Sequence, residues 1–171
     1  MAGSGASDAP VVVAYDGSPA ARQAVVDVAK FIGGHPTLVV TVWEEGLAEY
    51  VPASSSMAPD PLSPLPPVVD PGVSREVDHQ MHDQAERVAR EGAALARSVG
   101  LDPQPLALPD EGNVARTILT LVDQRQAAAV VVGSRGLSGI RARLEGSTSN
   151  ALLKHAPCPV IVVHEVDDKR R

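Results

Sequence analysis

An α/β fold built on an open parallel sheet is predicted by three observations. Five short apolar runs, rich in valine, alternate with four helical segments along the chain. Apolar residues make up 44% of the 171-residue chain but aromatics only 2%, so the core must be built from Val, Leu, Ile and Ala. That palette suits a parallel sheet covered by small-residue helices, and right-handed crossovers make such strands parallel. The length fits one domain with a sizeable core.

The first strand is the apolar run Val11 to Tyr15. Asp16-Gly17-Ser18-Pro19 follows: Gly17 permits a turn, Ser18 caps a helix and Pro19 fits its first position. Ala21, Val25, Val28, Ala29 and Ile32 then share one helical face, and Gly33-Gly34 ends the helix. Thr37 to Trp43 is the second strand. Residues 44–74 change character, with seven prolines and the run Ser54-Ser55-Ser56, and are expected to form a flexible insertion. Arg75 to Val99 is a long helix with the apolar stripe Val77, Met81, Ala85, Val88, Gly92, Leu95 and Val99. His79, His82, Asp83 and Glu86 on this helix have metal-ligand spacing, but no further cluster completes a site, so a solvated charged face is expected. Pro103 to Leu108 is the third strand, an edge strand by its prolines. Val114, Ile118, Leu119 and Val122 mark the third helix. Ala127 to Val132 is the fourth strand. Asn150 to His155 reads as the last helix, Pro157-Cys158-Pro159 breaks the chain, and Val160 to Val163 is the fifth strand.

Two ends frame this unit. Residues 1–9 are small and polar and are expected to be a disordered lead-in, without a signal peptide's apolar region. Residues 166–171 form a charged tail, which leaves 10–165 as a single domain. The net charge of -6 argues against a general binder of nucleic acid or anionic membrane. No apolar run approaches the ~20 residues of a membrane span. The single cysteine, Cys158, allows no internal disulfide and reads as small buried filler, which points to the cytoplasm.

The chemistry concentrates where the fourth strand ends. From Gly133 to Ser149 the chain carries glycines at 133, 136, 139 and 146, then Ser147, Thr148 and Ser149 before a helix. Strand, glycine-rich loop and capped helix form the layout of a phosphate site, because glycines bring backbone N–H groups close to an anion and the helix start adds positive potential. No Lys closes the loop as in a Walker A motif, and the first spacing is Gly-x2-Gly rather than Gly-x-Gly. Asp16 stands just beyond the first strand. It reads either as a turn carboxylate or as an acceptor for ribose hydroxyls or an outer-shell group for magnesium.

The pattern Gly133-x2-Gly136-x9-Gly146-Ser147 closely resembles the ATP-binding branch of the universal stress protein family. Val11-Val12-Val13-Ala14-Tyr15-Asp16-Gly17-Ser18 is a second match, and Leu152-Leu153-Lys154-His155-Ala156-Pro157-Cys158-Pro159 with the valine-rich run after it is a third. The resemblance spans about Pro10 to His164 and is weak only between Glu44 and Ser74. It implies a Rossmann-like sheet of the adenine nucleotide alpha hydrolase kind, in order 3-2-1-4-5 with helices on both faces. It also implies a nucleotide site: Gly133, Gly136, Gly146, Ser147, Thr148 and Ser149 on the phosphates, Asp16 on ribose or Mg2+, and Ala14 and Val42 at adenine. Arg135 and Arg143 are basic residues of the same loop, suited either to phosphate or to solvent.

Such a chain is expected to act as a non-enzymatic stress-response module that binds ATP, or ADP, AMP or cyclic AMP, and signals to a protein partner. A slow ATPase or phosphotransferase is the competing reading, as is a cyclic-AMP binder. Strong phosphoryl-transfer sites supply a Lys, a metal-binding acid and a group orienting the nucleophile, and only Asp16 is visible here. The implied strand order leaves Val160-Ile161-Val162-Val163 at an uncharged sheet edge, so a homodimer through the fifth strand is expected.

Overall fold

The computed structural model describes residues 8–32, 35–44, 71–110, 112–134 and 147–164. The Gly33-Gly34 stop, most of the proline-rich segment, the interior of the glycine loop and the charged tail lie outside the described residues. Five parallel strands form one sheet in the order β3-β2-β1-β4-β5, with helices packed on both faces. The elements are β1 (Val11–Ala14), α1 (Pro19–Val28), β2 (Pro36–Trp43), α2 (Pro71–Ser98), β3 (Asp102–Pro109), α3 (Val114–Gln124), β4 (Ala129–Gly133), α4 (Ser147–His155) and β5 (Val160–Val163).

Alternation along the central strands divides the core in two. Val11, Val13, Tyr15, Val39 and Val131 face α1 and α2, where Ala21, Ala24, Val25, Val28, Ala93 and Ala96 meet them. Val12, Ala14, Val40, Val130 and Val132 face α3 and α4, against Ile118, Leu121, Val122 and Leu152. Both faces of β1 and β4 are buried, which is why these strands read as unbroken apolar runs. Each fully buried valine contributes about 1.5–3 kcal/mol to the core. The small residues of α2 let it lie close: a Cβ on Gly92 would stand 2.7 Å from the Tyr15 ring and 2.8 Å from Val39.

Several boundaries depart from the sequence reading. Helix α2 starts at Pro71 rather than Arg75, so residues 71–74, assigned to the flexible insertion, are helical; proline is tolerated there because the first-turn N–H has no helical partner anyway. β4 starts at Ala129, two residues later than expected, and α4 starts at Ser147, three residues earlier. Ala9, placed in the lead-in, has its carbonyl 3.1 Å from His35 Nδ1. Among the described residues no helix is long and apolar enough to cross a membrane.

Candidate functional site

In a parallel sheet all strands point their carboxyl ends the same way. β1 and β2 deliver their helices to one face, β3 and β4 to the other, so the strand order reverses between β1 and β4. Open α/β sheets bind their ligands in the crevice beyond the carboxyl ends of the strands at such a switch point. Register pairs Val11, Val12 and Val13 of β1 with Ala129, Val130 and Val131 of β4. Asp16 and Gly133, more than a hundred positions apart in sequence, thereby come to the same end of adjacent strands.

The β1 side of the crevice is tightly held. The Tyr15 amide donates to the Val40 carbonyl at 2.8 Å, and the buried Thr41 hydroxyl donates to the Tyr15 carbonyl at 2.8 Å. These two bonds extend the pairing of β1 with β2 one residue past Ala14, directly before Asp16. The Ser18 amide donates to Asp16 Oδ1 at 2.9 Å, which closes the turn. Gly17 occupies φ 78°, a conformation that favours glycine. Ser18 caps α1 by accepting from the Ala21 amide at 3.1 Å, and Pro19 follows as expected. Asp16 is therefore a turn carboxylate by one oxygen. The residue is half-buried.

Ala14 is buried and Val42 half-buried, both on the α3–α4 side of the sheet, with Ala14 in register with Val40. Gly133 ends β4 and packs against the first turn of α1. Arg135, Gly136, Arg143 and Gly146 lie outside the described residues. Ser147, Thr148 and Ser149 form the first turn of α4, where Thr148 is half-buried and Ser149 buried. The side chain of Ser147 is likewise outside the described set.

Two contributors were missed in the sequence. Thr41 is one; its signal was a hydroxyl in the apolar run of β2, a group that must find an acceptor once buried. Arg22 is the other. Its Nε donates to the Gly17 carbonyl at 3.2 Å and its guanidinium pairs with Glu91, so one exposed side chain ties the Asp16 turn to α2. Periodicity hides it, because it lies on the polar face of α1.

On the histidine-bearing face of α2 the side chains pair with one another and with Trp43. His82 Nε2 lies 3.5 Å from Glu86, whose carboxylate also pairs with Arg90 at 2.6 Å, and the His82 ring meets the Trp43 ring edge-on with centroids 5.7 Å apart. Among the described residues no group of three acidic, histidine or cysteine side chains is placed to hold a metal ion. Cys158 is half-buried, and burial pushes its thiol above the usual range, against a smaller opposing effect of the Val130 backbone.

Comparison with known proteins places this geometry in context. The family model described as "Universal stress protein family" matches residues 9–164. A universal stress protein of Mycobacterium tuberculosis (strain H37Rv) is 31% identical over 170 residues, covering 96% of this chain and 50% of the relative. The chain thus spans about half the length of the mycobacterial relatives it first matches. A universal stress protein of Thermus aquaticus is 30% identical over 156 residues, covering 90% of this chain and 96% of its own. Among solved structures, UspA of Lactobacillus plantarum superposes with a TM-score of 0.64 at 21% identity, over 91% of this chain and 97% of that one. An Arabidopsis thaliana family protein with AMP bound gives 0.57 at 18% identity, over 95% and 96% of the two chains. A universal stress protein in complex with cAMP gives 0.58 at 20% identity, over 92% and 97%.

Proposed function

The chain belongs to the universal stress protein family, and from that premise we propose that its β1–β4 crevice binds an adenine nucleotide, with ATP as the preferred ligand. The observation that carries the proposal is the convergence of the Asp16 turn and the end of β4 at the strand switch. Relatives of the same fold hold AMP and cAMP, which supports an adenine ligand here. The glycine spacing from 133 to 146 supports a triphosphate, since three anionic groups need more backbone donors than one. In this reading Ala14 and Val42 border adenine, and Asp16 uses its second oxygen on ribose or on magnesium. Gly136, Gly146, Ser147, Thr148 and Ser149, with Arg135 and Arg143, surround the phosphates. The nucleotide-loaded protein is a signalling module rather than an efficient enzyme, and two copies associate through β5.

Calorimetry on the purified chain tests this. Asp16→Ala is expected to weaken ATP at least tenfold, and to weaken inorganic triphosphate much less. Gly146→Val is expected to abolish binding of both, because a side chain there holds the anion away from the amides. Equal weakening of both ligands by Asp16→Ala would overturn the role given to Asp16. Robust hydrolysis of ATP that vanishes in Gly146→Val would overturn the module reading in favour of an enzyme.

A further inference from the structure

We infer that Gly133 serves the crevice as a positioning residue. It lets α1 sit directly on the end of β4 and so sets the Asp16 turn against that end, rather than holding phosphate itself. The inference rests on the nucleotide reading above. Three reasons can make a chain need glycine at the head of such a loop: a positive φ, an anion that must approach the backbone, or another part of the protein that must do so. The first does not apply, since the positive-φ glycines among the described residues are Gly17, Gly100 and Gly112. The third is observed. A Cβ on Gly133 would stand 3.0 Å from the Ala20 carbonyl carbon, 3.0 Å from the Ala20 Cβ and 3.1 Å from the Ala21 nitrogen. Two of these three are backbone atoms of the first turn of α1, which cannot swing aside as the tip of a long side chain would.

A hydrogen bond just beyond Gly133 bears on the same point. The Ser134 amide donates to the Val163 carbonyl at 2.7 Å, so the first amide after Gly133 is committed to the sheet. Gly133 lies on the same face as Val131, which is the face covered by α1. The turn that holds Asp16 leads directly into that helix, with Ser18 as its cap and Pro19 at its first position. The position of α1 on Gly133 therefore decides where the Asp16 turn stands relative to the end of β4. A Cβ at Gly133 requires the first turn of α1 to give by a few tenths of an ångström, and the Asp16 turn moves with it.

The test is a cycle of Gly133→Ala, Ala20→Gly and the double variant, with melting measured without nucleotide and with ATP and inorganic triphosphate titrated by calorimetry. Gly133→Ala is expected to lower the melting midpoint and to weaken ATP at least tenfold, while inorganic triphosphate changes less than threefold, the same signature as Asp16→Ala. Adding Ala20→Gly removes one of the three close contacts and should recover part of both losses beyond simple additivity. Three results would overturn the inference. The first is an unchanged midpoint with equal loss of ATP and triphosphate, which would put Gly133 on the phosphates. The second is no change in either measurement, and the third is no recovery in the double variant. An unmodified chain that binds no adenine nucleotide would remove the proposed function, and the positioning role with it. The melting arm would still decide whether the Gly133–Ala20 contact matters to the fold.

Discussion

The two edges of the sheet treat the same hazard in opposite ways. A strand at an edge offers unpaired backbone groups to any other chain. On β3, the Asp110 amide donates to the Trp43 carbonyl at 2.7 Å, so even-numbered residues there face β2 and odd-numbered ones face outward. The outward positions are Pro103, Pro105, Ala107 and Pro109, which leaves Ala107 as the one outward amide of this strand. Arg97 of α2 reaches over the same edge and donates to the Pro103 carbonyl at 3.3 Å. On β5 the Val163 and Pro159 carbonyls accept from the Ser134 and Val130 amides, so odd-numbered residues face β4. Val160 and Val162 turn their amides outward, and among the described residues nothing covers them. Among the described residues one edge is largely closed by chemistry and the other is not, and an uncovered edge of uncharged valines is what a second copy of the chain would need for strand pairing.

The largest expected effect breaks the closed side. Gly92→Val places a side chain where a single Cβ would already be 2.7 Å from Tyr15. Overpacking of this kind costs about 3 kcal/mol or more when helix backbone must retreat from the sheet. Urea denaturation should show it, and a variant as stable as the parent would mean that α2 does not hold the β3 side in place.

A pair of proline substitutions sharpens the contrast on the open side. The Ile161 amide faces β4, so Ile161→Pro removes a bond within the sheet and should cost about 2 kcal/mol, roughly 4–8 °C in melting temperature. The Val162 amide faces outward, so Val162→Pro should leave the melting of the monomer nearly intact and abolish dimers in light scattering. If both variants remain dimeric, or if the unmodified chain is a monomer at micromolar concentration, β5 is not the pairing edge.

The smallest effect is a pH dependence specific to the α2 side. Burial raises the Tyr15 phenol above its usual range, and the Glu91 carboxylate adds to the shift. Among the described residues the hydroxyl makes no hydrogen bond of ordinary geometry, with Glu91 the carboxylate that acts on it. A raised value means that folding favours the neutral phenol. The associated stability is fully present below about pH 10, where the unfolded phenol titrates, and is lost as pH rises through the folded value. Tyr15→Phe should flatten this alkaline decline and change stability at neutral pH by about 1 kcal/mol or less, toward greater stability. An unchanged alkaline limb in Tyr15→Phe would assign the decline to other groups.

Much of this architecture could be read before any coordinates. The valine runs at 11–15, 37–43, 130–132 and 160–163 demanded burial on both faces, and only a layered parallel sheet offers that to so many short strands. The cap of α1 was legible because Ser18-Pro19 carries its own local chemistry, and the proline-marked edge because a missing N–H is a property of the residue alone. The start of α2 at Pro71 was not legible, since a proline that forbids a helix interior favours a helix start and the two cases look alike in sequence.

Amino-acid order alone decided which segments are strands, where the chain turns at Asp16 and Gly17, and that a glycine-spaced loop follows β4, because each depends on groups within a few residues of one another. The tertiary structure decided what the glycines are for. Gly92 admits the Tyr15 ring and Gly133 admits the first turn of α1, contacts between residues 77 and 113 positions apart. It also decided which amides of β3 and β5 face outward, since that parity is set only when each strand takes its register on a neighbour. Close approach and pairing register are properties of two surfaces together, and one stretch of sequence carries only one of them.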